Sequence, residues 1–239
     1  MKAIILAAGR GSRMENLTDE RPKCLTELEG KALLDWQLEA LHAAGVDQIA
    51  IVTGYKRECL QARNPKEFHN ANWQNTNMVS SLACAEEWLE SEACIVSYSD
   101  IFYEAKAIQS LMASDKPLAI TYDANWLELW TRRFGDPLLD AETFRITKQD
   151  CLSEIGNKPS SLGEIQGQYM GLLRFTPKGW AEVKRIRLSL PDTVRDKMHM
   201  TGTLQKIIES KNIEIEAIRY DGDWGEVDSA DDLAVYHRD

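Results

Sequence analysis

Cysteine and histidine are scarce in this sequence of 239 residues, and neither is clustered. The five cysteines are odd in number and form no Cys-x-x-Cys pair, so they predict reduced thiols and neither a zinc site nor a disulfide framework. These residues are Cys24, Cys59, Cys84, Cys94 and Cys151. The four histidines are equally dispersed, which argues against a histidine-based transition-metal site. The chemistry of the protein therefore has to come from other residue types.

The sequence also lacks a block of basic residues and a long apolar run. Its formal net charge is −10, whereas proteins that bind nucleic-acid backbones usually carry a basic face. The opening apolar run, residues 3–8, is closely followed by Arg10 and is too short for a secretion signal. No later run approaches the length of a membrane span. We therefore expect a cytoplasmic protein that binds neither nucleic acid nor a membrane.

A glycine-rich loop does follow the first apolar run directly. It holds two glycines, a hydroxyl and two arginines, at Gly9, Arg10, Gly11, Ser12 and Arg13. Such residues suit an anion-binding turn after a buried strand, because backbone N–H groups reach phosphate oxygens only where no side chain intervenes. The loop is therefore a candidate phosphate site, and the alternative is an ordinary turn with surface arginines.

Two well-known phosphate loops do not fit this stretch. The dinucleotide fingerprint needs a third glycine, where this chain has Met14, and a long helix, which Pro22 soon interrupts. The Gly-Lys-Ser/Thr of the Walker loop is absent. The remaining hypothesis is a loop at residues 9–13 that wraps a triphosphate, with Lys23 arriving from a separate turn to neutralise it.

The periodicity of the following segments predicts an α/β fold. Residues 31–44 have helical spacing and stop at Gly45, and residues 48–53 form a β-branched run. Strand, helix and strand make a right-handed βαβ unit by default. We therefore predict a Rossmann-like, mostly parallel mixed sheet with helices on both faces and a small β-rich insertion at residues 142–155. The length suits a single domain, residues 1–239.

Other elements follow from the same patterns. Residues 78–89 predict an amphipathic helix capped by Asn77 or Thr76. A strand at 166–175 is interrupted by glycines, which suggests close approach of its backbone to a ligand. The remaining predicted strands are 93–97, 117–122 and 213–220, and the remaining helices are 104–113, one that starts at 176–180 with Pro177 near its first position, 203–211 and 230–237.

Two aspartates are candidate metal ligands. Asp100 follows the predicted strand 93–97, at the edge where open α/β sheets bind ligands; the alternative is a helix cap. After the last strand, alternation puts Glu226 and Asp228 on one face, although Asp228 or Ser229 could instead cap the closing helix. We expect Asp100 and Asp228 to bind Mg²⁺, which prefers carboxylate and phosphate oxygens.

The opening string Leu6-Ala7-Ala8-Gly9-x-Gly11-x-Arg13-Met14, followed by Arg21-Pro22-Lys23, closely resembles the signature of the sugar-phosphate and related nucleotidyltransferases. The resemblance implies the nucleotidyltransferase fold and the transfer of a nucleotide from an NTP to a phosphorylated acceptor, with release of pyrophosphate. It assigns catalytic roles to Arg13, Lys23, Asp100 and Asp228. The nucleotide would contact Leu6, Ala7, Ala8, Gly9, Gly11, Ser12, Arg13 and Lys23.

Further stretches narrow this resemblance. Asn77-Met78-Val79-x-Ser81 looks like the base-side segment of phosphocholine cytidylyltransferases, although a loop and a cap explain it equally well. Later stretches resemble bacterial cytidylyltransferases that use CTP and small phosphorylated or phosphonate amines and amino acids, for cell-surface polysaccharide or lipid decoration; these stretches are 137–144, 154–158, 164–172 and 224–228. The resemblance implies that the base is contacted by Asn75, Thr76, Asn77 and Ser81. It also divides the chain into a nucleotide part (1–122), an acceptor part (123–228) and a closing helix (229–239).

The acceptor remains open among phosphocholine, phosphoglutamine and 2-aminoethylphosphonate. In phosphocholine enzymes aromatic rings and an acid surround the quaternary ammonium, and the matching positions are Tyr169 and Glu226 with Trp126 or Trp130. Alternatively, the two tryptophans form a helical core pair. Arg132 and Arg133 beside them suit an acceptor with a carboxylate, unless they pair with acids at the surface, at Asp136 or Asp140.

Two other functions stay open from the sequence. The first is a uridylyl- or guanylyltransferase that acts on a sugar phosphate. The second is a non-catalytic nucleotide sensor, which would keep the glycine loop but lose the metal carboxylates; Asp100 and Asp228 argue against it. A homodimer is compatible with the sequence.

Overall fold

A computed structural model describes residues 1–63 and 65–236 of the protein. Asn64 and the end of the predicted closing helix, residues 237–239, lie outside the described residues. The strands are β1 (Lys2–Ala7), β2 (Glu27–Leu28), β3 (Lys31–Ala32), β4 (Gln48–Thr53), β5 (Lys66–His69), β6 (Cys94–Tyr98), β7 (Ile101–Tyr103), β8 (Leu118–Asp123), β9 (Phe144–Ile146), β10 (Leu152–Ile155), β11 (Gln168–Phe175), β12 (Ile215–Tyr220) and β13 (Trp224–Glu226). The α-helices are α1 (Leu33–Ala43), α2 (Met78–Ala83), α3 (Glu86–Ser91), α4 (Ala105–Met112), α5 (Trp126–Phe134), α6 (Pro177–Leu188), α7 (Asp192–Arg195), α8 (Met200–Ser210) and α9 (Ala230–Tyr236).

The described residues form a seven-stranded sheet in the order β12-β8-β11-β6-β1-β4-β5. All neighbouring strands run parallel except β11, which is antiparallel to β6 and β8. The prediction of a mostly parallel mixed sheet is therefore confirmed. The interior strand β1 is apolar and buried, as expected for a parallel strand covered on both faces. Leu6 of β1 lies opposite Tyr98 of β6, so the two segments that follow these strands emerge at the same edge.

The structure differs from the predicted elements at two places in the first half. The first helix begins two residues late, because β3 pairs with β2 in a hairpin whose turn uses positive φ angles at Glu29 (53°) and Gly30 (77°). The predicted helix 78–89 is two helices, because Ala85 leaves the helical region at φ −98° and ψ 21°. Asn77 caps the first of them, as predicted, by accepting a hydrogen bond from the N–H of Met78.

The second half contains a helix at the start of the predicted acceptor segment. Trp126 and Trp130 lie one turn apart on α5, are 4% and 3% exposed, and have ring centroids 6.3 Å apart. The alternative of a helical core pair is therefore confirmed for both tryptophans. The predicted β-rich insertion is the short hairpin of β9 and β10. In β11 the predicted interruption is a bulge at Gly171, where φ is 77° and a Cβ would lie 2.8 Å from the ring of Tyr98.

A small apolar cluster joins the glycine loop to the segments that carry the candidate carboxylates. It consists of Met14, Leu28, Leu33, Phe102 and Val227 and lies apart from the main core. Burial of these side chains contributes about 1.5–3 kcal/mol for each large residue. The cluster therefore fixes the loop against β7 and β13. Among the described residues the cysteines form no disulfide, and no helix is long and apolar enough to cross a membrane.

Candidate active site

Three carboxylates meet at the edge of the sheet where β1 and β6 end. Asp100 follows β6, and β13 pairs antiparallel with β7 so that Glu226 lies opposite Ile101. The N–H of Val227 then donates to the backbone oxygen of Asp100 at 2.9 Å. This pairing brings one carboxylate oxygen from each of Asp100, Glu226 and Asp228 within 4.8 Å of one another.

Lys23 and Arg13 neutralise this carboxylate cluster. The Lys23 ammonium donates to Asp100 Oδ2 at 2.7 Å and also to Asp228 Oδ1, and its side chain is 9% exposed. Arg13 Nη1 lies 2.6 Å from Asp228 Oδ2 on a side chain that is 68% exposed. Burial alone would lower the pKa of Lys23, but the charges of Asp100 and Asp228 outweigh it, so this pKa is raised. The ammonium is therefore charged at neutral pH.

Glu226 and Asp228 are held in place from behind by a buried ion pair. Arg133 has no exposed side-chain surface; its Nη1 lies 2.9 Å from Glu226 Oε2 and its Nε 2.8 Å from Asp232 Oδ1. The other oxygen of Asp232 accepts from the N–H groups of Asp228 at 2.8 Å and Ser229 at 2.9 Å. Ser229 Oγ in turn accepts from the N–H of Asp232, so Ser229 caps α9 while the Asp228 carboxylate stays in the cluster.

The carboxylate cluster fits a divalent cation. Asp100 Oδ1 is buried and has no hydrogen-bond partner among the described residues, which leaves one hard oxygen ligand uncompensated. Burial, followed by the charges of Asp228 and Asp100, raises the pKa of Glu226 to about 7.

The structure brings Asp100 and Asp228 together, as the sequence predicted. Glu226, which was predicted to contact the acceptor, lies in the same cluster. The only sequence signal for this position was the alternation that puts Glu226 on one face with Asp228.

A cavity of about 300 Å³ opens beside the glycine loop. Ten of the predicted nucleotide-binding residues line it, together with the two aspartates: Leu6, Ala8, Gly9, Gly11, Ser12, Arg13, Lys23, Thr76, Asn77, Ser81, Asp100 and Asp228. Two predicted residues are elsewhere in the described structure: Ala7 is buried in β1, and the Asn75 amide donates to Asn72 Oδ1 at 2.8 Å. Trp73 also lines the cavity and was not among the residues predicted from the sequence.

Asn70 organises the polar wall of this cavity. Its buried amide donates to Thr76 Oγ1 and to Ser81 Oγ, each at 2.9 Å. Both hydroxyls are thereby fixed in position, and each keeps a lone pair or a proton for a further partner. No sequence pattern pointed to Asn70, because an asparagine that becomes buried cannot be told from the other asparagines of a polar loop.

A second cavity, of about 420 Å³, adjoins the first. Arg13 and Asp228 belong to the walls of both, and the second is also lined by the predicted acceptor residues Trp130, Tyr169 and Glu226. Its other polar lining residues are Asp140, Glu142, Gln168, His199 and Thr201.

Three predicted acceptor residues do not reach this second cavity in the described structure. Trp126 is in the core, Arg132 is exposed and donates to the backbone oxygen of Val235, and Arg133 is buried behind the carboxylates. The alternative pairing of the arginines with Asp136 or Asp140 is also wrong for Arg133, whose partners are Glu226 and Asp232. In the described structure neither guanidinium of α5 therefore lines the second cavity.

The fold and this site define the class of protein as a nucleotidyltransferase. Residues 3–154 match the MobA-like NTP transferase domain. Because this match covers more than half of the chain, the protein belongs to the MobA-like NTP transferase family. The resemblance to nucleotidyltransferases predicted from the opening string is therefore confirmed.

Individual relatives agree with this assignment. The chain is 38% identical to the CTP:phosphoglutamine cytidylyltransferase of Campylobacter jejuni, over 98% of both chains. It is 36% identical to the 2-aminoethylphosphonate cytidylyltransferase of Lancefieldella rimae, over 41% of this chain and 42% of the relative. The inositol-1-phosphate CTP transferase from T. maritima has the same fold, with a TM-score of 0.77, 18% identity, and coverage of 97% of this chain and 90% of the other.

Proposed function

We propose that the protein is a Mg²⁺-dependent cytidylyltransferase that joins CMP from CTP to a small phosphorylated or phosphonate acceptor carrying an ammonium group. The observation that carries this proposal is the pair of adjoining cavities with the carboxylate cluster at their common wall. One cavity suits a nucleotide and the other a small polar molecule. The likeness to a cytidylyltransferase over nearly the whole chain supports CTP as the nucleotide.

The proposed reaction needs no covalent enzyme intermediate. An oxygen of the acceptor phosphate attacks the α-phosphorus of CTP; the new O–P bond forms while the bond from the α-phosphorus to the bridging oxygen breaks, and pyrophosphate leaves with those electrons. The backbone N–H groups of the glycine loop, Arg13 and Lys23 would balance the charge of the triphosphate and of the leaving group. Mg²⁺ held by Asp100 and Asp228 would supply further charge neutralisation at the phosphates.

The residues around the first cavity suit a base at its far end. The ring of Trp73 offers an apolar face for stacking, and the hydroxyls of Thr76 and Ser81 offer hydrogen bonds to a base edge. Asn77 lines the same wall; its side-chain oxygen caps α2 and its amide nitrogen donates to the backbone oxygen of Lys197 at 3.5 Å, which leaves its second N–H for a base edge. We assign these four residues to the cytosine.

The charge of the second cavity supports an acceptor with a cationic group. Of its four carboxylates, Glu226 is paired with Arg133 and Asp228 with Lys23. Asp140 and Glu142 have no ion pair among the described residues. Glu142 accepts only a hydrogen bond from Thr201 Oγ1 at 3.3 Å, and burial raises the pKa of its carboxyl. An ammonium group in the cavity would supply the missing partner.

Pyrophosphate release, measured for each combination of nucleotide and acceptor, tests the proposed function. The nucleotides are CTP, UTP, GTP and dTTP, and the acceptors are phosphoglutamine, 2-aminoethylphosphonate, phosphocholine and glucose 1-phosphate. We expect turnover with CTP and the acceptors that carry an ammonium group. Turnover with UTP and glucose 1-phosphate alone would instead establish a sugar-phosphate uridylyltransferase.

Glu142→Gln is expected to raise the KM for an acceptor with a primary ammonium group about tenfold or more, because a charge-assisted hydrogen bond contributes about 1.5–3 kcal/mol. The KM for CTP should not change, since Glu142 is outside the nucleotide cavity. The matched control is Glu154→Gln in the same hairpin, where the glutamate pairs with Arg145 outside both cavities. An unchanged acceptor KM in Glu142→Gln would remove this residue from the acceptor site.

A further inference from the structure

The ammonium group of Lys23 lies where a metal ion would bind. Its Nζ donates to Asp100 Oδ2 at 2.7 Å and to Asp228 Oδ1, which are oxygens of the two proposed metal ligands. Mg²⁺ binds carboxylate oxygens at about 2.0–2.1 Å and would need the lone pairs that the ammonium now uses. Two cations on the same oxygens would also repel each other strongly. A metal ion that bridges the two aspartates would therefore compete with the ammonium for Asp100 Oδ2 and Asp228 Oδ1, while Asp100 Oδ1 has no hydrogen-bond partner among the described residues.

The backbone around Lys23 holds its side chain in this position. Gly11 of the glycine loop packs against the aliphatic part of Lys23, and a Cβ added at Gly11 would lie 2.8 Å from both Cβ and Cδ of the lysine. Gly11 also has φ +71°, a conformation that residues with side chains rarely adopt. The loop that would wrap the triphosphate is thus in direct contact with the side chain that occupies the metal position.

A triphosphate would offer the ammonium another partner at short range. Lys23 lines the nucleotide cavity together with Gly9, Gly11, Ser12 and Arg13, so phosphate oxygens bound in the loop would lie beside its stem. Arg13 can make the same exchange, because its exposed side chain reaches Asp228 from the solvent side. Both cations can move from carboxylate to phosphate without a change in the fold.

We propose that Lys23 closes the metal site in the nucleotide-free protein and that a bound triphosphate opens it by drawing the ammonium away from Asp100 and Asp228. The inference rests on the proposed function, because it takes these two aspartates as the metal ligands. It predicts an order of binding in which the divalent cation enters with the nucleotide or after it. The nucleotide-free protein then has little affinity for divalent ions.

Binding of Mn²⁺, measured by electron paramagnetic resonance and by water proton relaxation, tests the proposal without any turnover. We expect nucleotide-free wild-type protein to bind Mn²⁺ at least about tenfold more weakly than Lys23→Met. With a non-hydrolysable CTP analogue at saturation, we expect wild-type protein to bind Mn²⁺ in a ternary complex. Adding Asp228→Asn to Lys23→Met should abolish the increase in Mn²⁺ affinity, and this result would locate the ion at the carboxylate cluster.

Lys2→Met is the matched control, because Lys2 pairs with Glu92 at 2.9 Å at the opposite end of β1 and should leave Mn²⁺ affinity unchanged. If Lys23→Met does not fold, Lys23→Gln keeps an N–H donor for the carboxylates and gives the same comparison. If the nucleotide-free wild type bound Mn²⁺ as tightly as the Lys23 variant does, the proposed closure by Lys23 would be wrong. The proposed metal site would still be supported. Absence of protein-bound Mn²⁺ from every variant and from the ternary mixture would overturn the metal site itself.

Discussion

Asp228→Asn is expected to lower kcat about 10³-fold, which corresponds to roughly 4 kcal/mol of transition-state stabilisation. Asp228 is the one residue that lies in the carboxylate cluster and also on the walls of both cavities. The substitution removes the charge of a proposed metal ligand but preserves the size of the side chain. Steady-state pyrophosphate release measures the loss, and thermal unfolding checks that the fold is retained.

The matched control for this variant is Asp231→Asn. Asp231 is an exposed acid in the first turn of α9, three residues from Asp228, and is outside both cavities. Its replacement should cost no more than the effect of one charge on a helix terminus, about 0.3–1 kcal/mol of stability, and should leave kcat unchanged. Asp100→Asn should behave like Asp228→Asn. Near-normal turnover in either active-site variant would exclude that residue from the mechanism.

Arg133→Met is expected to lower the free energy of unfolding by about 3–5 kcal/mol, because it leaves the buried carboxylate of Asp232 and the partly buried carboxylate of Glu226 without their cation. The Arg133 side chain has no exposed surface and contacts Glu226 and Asp232, while Asp232 holds the backbone of Asp228. Methionine fills a similar volume, so most of the loss should come from charge. Urea unfolding measures it directly, and the melting temperature should fall by on the order of 10 °C.

Arg132→Met provides the comparison for Arg133→Met. Arg132 is the neighbouring arginine on α5 but is exposed, and its single described hydrogen bond is to the backbone oxygen of Val235. We expect a change in stability within about 0.5 kcal/mol for this variant. A different result is informative for Arg133: if Arg133→Met retained wild-type stability but lost acceptor affinity, the guanidinium would have to contact the acceptor rather than hold the carboxylates.

Local sequence patterns were sufficient to predict the sheet and its functional edge. A buried apolar run followed by a glycine-rich loop predicted β1 and its phosphate site, and a second run predicted β6 with Asp100 at its end. Each of these signals is confined to one short stretch of consecutive residues. Because parallel strands place their carboxyl ends at one edge, local signals of this kind predict which loops meet.

The composition of the carboxylate cluster could not be predicted in the same way. Alternation puts Glu226 on one face with Asp228, but its approach to Asp100 depends on the pairing of β13 with β7, and strand pairing over such a separation leaves no local pattern. Arg133 looked like a surface or acceptor-binding arginine, because its buried partners Glu226 and Asp232 lie far along the chain. Asn70 was missed for a similar reason, since only the folded structure shows that its amide is buried between two hydroxyls.

The wall shared by the two cavities has a consequence for inhibition. Under the proposed function, a molecule that links a cytidine phosphate to an acceptor-like group would occupy both cavities without crossing bulk solvent, because Arg13 and Asp228 line both. Once one half is bound, the other half meets its cavity at an effective concentration in the millimolar range for a short linker. The affinity of such a bisubstrate compound therefore exceeds that of either half alone. Under the proposed function the reaction product is itself such a compound, so we expect it to inhibit the enzyme by occupying both cavities.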